Sequence, residues 1–314
     1  MSTENNYYVP EQSKMPIFAA TGMGVLAFGA ASWVIEGGSP TVFLIGLAIL
    51  SLVLYKWWSV VIDENMQGLA NQQLKKSYVL GMLWFIFSEV MFFAAFFGAL
   101  FYVRVFANSW LGGEAAVGIF DDTPTDAAAA NNQILWPGYQ AEWPVMVTPD
   151  QMANGEDAQF KGPDQNMNFP GWSNLLSWLP LWNTLVLMTS SFTVHIAHTA
   201  LKNENRKKFN TWLGITVALG IIFLFLQVEE YIHAYQHMGL TLETGIYGTT
   251  FFLLTGFHGV HVTLGTCMLL VQWLRGLKGH FSNDDQFGFE ASSWYWHFVD
   301  VVWVGLFLFV YVLA

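Results

Sequence analysis

Few side chains in this sequence could do chemistry, and most of them sit among apolar neighbours. Glu89 lies in Phe87-Ser88-Glu89-Val90-Met91-Phe92-Phe93. A charge buried in hydrocarbon is costly, so such a carboxyl either handles protons or serves as hydrogen-bonding glue between helices. The residues favour glue, because no second mid-span carboxylate stands within sequence reach. Asp300 and His297 are one helical turn apart and can meet on one helix face, as a proton relay or as a contact that fixes a helix. A relay needs a longer chain of groups, so the structural role is expected. His195 with His198 and His258 with His261 form two i,i+3 pairs of the kind that could ligate haem or a metal. They fall at different depths of their spans, and Gly256 and Gly259 flank the second pair, so hydrogen bonds across closely packed helices are expected instead. Glu229 and Glu230 lie about one turn from the predicted end of an apolar run, which predicts interfacial anchors that reach water. Asp121, Asp122 and Asp126 lack the glycine and bidentate glutamate of a calcium loop and read as a solvated acidic patch. Cys267 is the single cysteine, which excludes an internal disulfide, a Cys-x-x-Cys metal site and c-type haem attachment.

The elements that must position these groups are membrane helices. Of 314 residues, 54% are hydrophobic, 17% aromatic and only 11% charged, against roughly 25% charged in soluble chains. A formal net charge of -11 with only 12 Lys and Arg excludes a nucleic-acid partner. Crossing roughly 30 Å of hydrocarbon takes about 20 apolar residues. Seven stretches qualify, near 17–35, 41–62, 78–103, 179–201, 211–234, 247–274 and 291–313. Their continuous apolar character does not fit the alternation of barrel strands, so the predicted fold is all-α, a polytopic bundle of seven transmembrane helices. No internal repeat supports an inverted-repeat transporter. Residues 1–16 lack the basic region of a targeting peptide, so the first span is expected to be retained. Ten of the 12 positive residues precede the first span or flank the even-numbered connections. That bias predicts a cytoplasmic N-terminus and an external C-terminus.

The connection spanning 105–175 differs sharply in composition, with nine acidic residues against Lys161 alone. Trp136-Pro137 and Trp143-Pro144 predict a packed cap on the outer side rather than a flexible loop. At the end of the second span, Lys56-Trp57-Trp58 joins a cation to two boundary aromatics and suits phospholipid head groups.

Longer motifs on successive helices carry a resemblance. Gly288-Phe289-Glu290-Ala291 followed by Trp294-Tyr295-Trp296-His297-Phe298-Val299-Asp300-Val301-Val302-Trp303 resembles the last-helix signature of subunit III of the haem–copper cytochrome c oxidases. Gly245-Ile246-Tyr247-Gly248, Phe251-Phe252 and Thr255-Gly256-Phe257-His258-Gly259-Val260-His261 are similar to the same family, as are Ser88-Glu89 with Met91-Phe92-Phe93, Asn183-Thr184, Gln227 with Glu230-Tyr231, and Trp57-Trp58. The resemblance implies a two-plus-five helix arrangement with a lipid-filled cleft. It also implies an accessory subunit of a proton-pumping aa3-type cytochrome c oxidase that carries no cofactor of its own. Haem and copper would reside on partner subunits I and II, cytochrome c would donate electrons to the complex, and phospholipid would be bound. Glu89 matches the family's buried glutamate, and Trp57, Trp58, Glu64 and Arg275 match lipid-associated positions. Ser59 stands where the family often has Arg, and Leu69-Ala70 where histidines are common. The insert is longer than in the compact mitochondrial form, which implies a complex of the bacterial inner membrane; its acidity would attract a basic cytochrome c. Subunit III of a quinol oxidase, associated with a shorter five-helix chain, and an independent transporter or channel are the alternative readings.

Overall fold

The computed structural model describes residues 12–114, 125–155, 158, 160–163, 167, 169–282 and 286–313. Among them every regular element is helical: α1 (Met15–Glu36), α2 (Thr41–Met66), α3 (Gln72–Tyr102), α4 (Asn108–Leu111), α5 (Thr125–Leu135), α6 (Pro149–Asn154), α7 (Leu179–Lys202), α8 (Arg206–His233), α9 (Ile246–Leu277) and α10 (Phe287–Leu306). Seven continuous helical segments are long and apolar enough to cross a membrane: Met15–Glu36, Thr41–Met66, Gln72–Leu111, Leu179–Lys202, Arg206–Met238, Ile246–Leu277 and Phe287–Val312. The chain is an all-α polytopic membrane protein.

Two compact units make up the chain, Met1–Met82 and Leu83–Ala314. In the first, α1 and α2 form a hairpin held by close backbone approach. A Cβ on Gly29 would lie 2.3 Å from the Phe43 amide nitrogen, and one on Gly46 would lie 2.3 Å from that of Leu26. Only glycine admits this contact, the usual way two helices pack where lipid removes any hydrophobic drive between them. Trp57 is half-buried and Trp58 exposed, with Glu64 half-buried one to two turns further along α2.

The second unit is built around α10, which carries Trp296 and Trp303, both fully buried. The Trp296 ring fills the space left by two glycines: added Cβ atoms on Gly265 of α9 and Gly220 of α8 would come within 2.8 and 2.9 Å of it. Its indole N–H donates to the Ser190 hydroxyl of α7 at 3.0 Å. One turn or two further on, Trp303 donates to the Thr184 hydroxyl of α7 at 3.0 Å and packs edge-on to Phe223 of α8 at 4.8 Å. Two indoles thus tie three neighbouring helices to α10, each apolar body buried and each polar N–H satisfied.

The insert packs against one end of this unit. Tyr139 donates to Asn108 Oδ1 at 2.7 Å, and Asn108 Nδ2 donates to the Glu142 carbonyl at 3.0 Å. Asn132 Nδ2 donates to the carbonyls of Leu111 and Tyr139 at 2.7 and 3.1 Å. Thr148 and Gln151 form a capping box that starts α6, which stops at Gly155 in the left-handed region. Phe160, fully buried, stacks on Tyr247 at 5.4 Å, and the Lys161 N–H donates to the Met238 carbonyl at 3.0 Å. Arg104 places its guanidinium 5.6 Å from the centre of the Trp143 ring. Burial, with Glu142 nearby, raises the Tyr139 phenol above its ordinary value. Asp121 and Asp122, the core of the calcium idea, lie outside the described residues, as does the Asp126 side chain.

Candidate functional site

The carboxyl of Glu89 meets a partner that its sequence neighbourhood does not contain. His261, 172 residues away on α9, presents Nε2 at 2.9 Å from Glu89 Oε2. The other ring nitrogen of His261, Nδ1, lies 2.7 Å from the Phe257 carbonyl, which can only accept, so Nδ1 carries a proton. The geometry therefore places one shared proton between Glu89 and Nε2, held as a neutral acid facing a neutral imidazole or as a carboxylate facing an imidazolium. Aromatic rings surround the imidazole, Phe93 at 4.9 Å and Phe92 at 5.9 Å, with Tyr295 stacked at 6.3 Å, while Glu89 is half-buried. This enclosure favours retention of the hydrogen bond, because the imidazole is shielded on its faces.

The two histidine pairs do not converge. His258 is fully buried and its Nε2–H donates to the Val299 carbonyl of α10 at 3.2 Å, so it binds helix to helix. His198 Nε2 lies 3.3 Å from Glu290 Oε1 of α10, while His195 is exposed. All three inward contacts cross between helices, but the flanking glycines do not mark a close approach: a Cβ on Gly259 meets nothing within 4 Å and one on Gly256 only the Tyr231 hydroxyl at 3.4 Å. Among the described residues no group of three or more His, Cys, Asp or Glu side chains is placed to hold a metal ion.

His297 and Asp300 do share a face, but the close hydrogen bond of His297 goes elsewhere. Its Nδ1 is 2.9 Å from the Ser191 hydroxyl of α7 and 3.6 Å from Asp300 Oδ2. Asp300 is 4% exposed, and the group is a three-membered polar contact between α7 and α10. Arg275 is buried, its Nη1 donating to Gln272 Oε1 at 3.2 Å and its guanidinium packed 5.0 Å from the centre of Phe281.

One expectation is overturned. Glu230 is not an anchor in contact with water but is 2% exposed, while Glu229 beside it is exposed. The apolar run suggests an end near residue 234, yet α8 continues as a π-helical turn, Ala234–Met238. That leaves Glu230 about 12 Å from the end of the span by helical rise, and its side chain lies inward beside Tyr311. Sequence reasoning missed Tyr311 and Tyr247 as its neighbours. The spacing of Gln227 and Glu230, three residues apart on one face, was the available signal.

Comparison with known proteins bears on the whole chain. The model of the family described as Cytochrome c oxidase subunit III matches residues 5–140 and 175–314. Cytochrome c oxidase subunit 3 of Oryctolagus cuniculus is 34% identical over 306 residues, covering 97% of this chain and 96% of its own length. The proteins of the same description from Latimeria chalumnae and Hippopotamus amphibius are each 35% identical over the same extents.

Proposed function

Since the chain belongs to the cytochrome c oxidase subunit III family, we propose that it is the accessory, redox-inactive subunit of a proton-pumping aa3-type oxidase. Electrons pass from cytochrome c to oxygen through haem and copper on subunits I and II, and this chain supports those partners by scaffold, bound phospholipid and proton handling. The observation that carries the reading is the family match on both sides of the insert, which takes in the helices bearing Glu89, His261, His297 and Asp300. A single cysteine leaves this chain without the cysteines of a dinuclear copper site.

What the side chains contribute follows from their chemistry. Glu89 and His261 hold one exchangeable proton between two helices, so the pair passes a proton without any change in net charge beyond the transfer itself. Ser191, His297 and Asp300 form a second polar contact on α7 and α10. Trp57, Trp58 and Glu64 are assigned to phospholipid, the indoles as boundary aromatics and the carboxylate at the head groups, while Arg275, buried against Phe281 and bonded to Gln272, is assigned there by its motif match alone. The membrane is the bacterial plasma membrane with the N-terminus cytoplasmic, as the distribution of Lys and Arg supports. The acidic insert lies on the opposite side and draws in a basic cytochrome c. A quinol-oxidising complex is separated from this reading by its donor. The assembled complex should turn over with reduced cytochrome c, and turnover with quinol alone would overturn the assignment. Neutralising the insert's acidic residues should weaken the salt dependence of cytochrome c oxidation; an unchanged dependence would remove the docking role.

A further inference from the structure

The end of the second unit that the insert covers contains more unpaired polar chemistry than any described function uses. Asn183 of α7, Gln227 and Glu230 of α8, Tyr247 of α9 and Tyr311 beyond α10 are each between 0% and 5% exposed. Both polar atoms of Asn183 and Gln227 and the hydroxyl of Tyr247 have no hydrogen-bond partner among the described residues, and Glu230 and Tyr311 have none there beyond each other. They lie together. Thr193 of α7 and Thr216 of α8 touch through their hydroxyls at 2.8 Å. From there, ten residues back along α7 and eleven forward along the antiparallel α8 reach Asn183 and Gln227, level with each other to about one residue's rise. Glu230 follows Gln227 by one turn, and its carboxyl interacts with the Tyr311 and Tyr247 hydroxyls.

The backbone widens around the same place. Three helices that run in parallel contain π-helical turns there: Val103–Ala107 between α3 and α4, Ala234–Met238 after α8 and Phe307–Val312 after α10. Ring contacts Phe85–Tyr295, Phe93–Phe298 and Phe97–Phe309 fix the parallel course of α3 and α10. A π-turn opens the helix by one residue and recurs at functional positions. Above, Phe160 and Trp143 of the insert cover Tyr247. The family model skips 141–174, the stretch that supplies both covering rings.

Buried polar groups in proteins are satisfied, by one another or by ordered water that makes about three bonds each. We infer that Asn183, Gln227, Glu230, Tyr247 and Tyr311 line an internal water-binding site, closed by the insert and holding about three ordered waters at that bonding capacity. The donors and acceptors are mixed, as water requires and a lipid tail does not. The site does not depend on the oxidase assignment, because it rests on the burial of these side chains and on the polar atoms of Asn183, Gln227 and Tyr247 that find no partner.

Radiolytic hydroxyl footprinting in 18O-labelled water tests it on the intact, purified complex, since radicals formed from bound water label the rings beside it. After normalising for intrinsic ring reactivity, Tyr311 and Tyr247 should be labelled several-fold more than Phe209 and Phe289, which are equally buried among rings. Equal labelling would overturn the inference. A high-resolution map of the same complex gives an independent reading: ordered density within hydrogen-bond distance of Glu230 and Tyr311 supports the site. A map with no ordered density within hydrogen-bond distance of Asn183, Gln227, Glu230 or Tyr247 overturns it.

Discussion

Replacing Glu89 with leucine removes the partner that His261 Nε2 has among the described residues, while Nδ1 keeps its bond to the Phe257 carbonyl at 2.7 Å. The imidazole then holds a buried, unsatisfied nitrogen, which costs roughly 1–3 kcal/mol, or about 5- to 150-fold in the population of opened chain. Glutamine behaves differently. Its amide can donate to Nε2 at the same separation, so Glu89→Gln should retain most of the contact and cost less than about 1 kcal/mol, near the net worth of an ordinary hydrogen bond. Proteolysis of the purified complex across a temperature series, read on this chain, measures the opened population. Haem content and the initial rate of electron transfer serve as controls and should stay nearly unchanged in both variants. The combined Glu89→Leu, His261→Leu variant should cost less than the two single changes together, because a leucine pair leaves no orphaned nitrogen. Glutamine as damaging as leucine, or strict additivity in the double variant, would refute the shared-proton pairing.

Substituting Trp57 and Trp58 with leucine should deplete tightly bound phospholipid and shorten the active lifetime of the complex; unaltered lipid content by mass spectrometry would remove that assignment. Gly46→Ala brings a Cβ to 2.3 Å of the Leu26 amide nitrogen and should destabilise the α1–α2 hairpin, whereas Gly24→Ala meets nothing within 4 Å. The difference should fall within about 1–3 kcal/mol, and equal protease resistance of the two variants would contradict the close approach. The Tyr139 phenol is neutral in its bond to Asn108, and its folded value lies above the ordinary 10.0. Its contribution is therefore fully present below pH 10.0 and is lost as pH rises through the higher folded value. Protease access to the insert should increase over that alkaline range, and Tyr139→Phe should flatten the change; an unaltered profile would place the transition elsewhere.

The spans were legible because continuous apolar runs of about 20 residues leave little else for a chain to do. Composition also set the 105–175 connection apart, through its acidity and its Trp-Pro pairs. Helix ends were less legible. The extension through Ala234–Met238 leaves no mark in composition, and it is this extension that carries Glu230 away from the boundary. A carboxyl four residues from an apparent end reads as solvated, and only the packing of Tyr311 beside it says otherwise. The pairing of Glu89 with His261 was illegible for a different reason. Each residue alone invites a local partner, and the choice between 172-residue neighbours is made by how α3 lies on α9. The bonds that His258 and His261 make across helices agree with the expectation but not with its reason, since Gly256 and Gly259 do not sit at a close helix approach.

The central claim is that this polypeptide is a membrane-embedded companion to a redox machine and holds no redox centre itself. Mild detergent extraction of the native membrane, followed by optical spectra and metal analysis of the purified assembly and of this chain after its separation, tests that directly. The account predicts a stoichiometric association with a haem- and copper-bearing catalytic subunit, and a separated chain free of both. A separated, folded chain that retained its own stoichiometric haem or copper would contradict it.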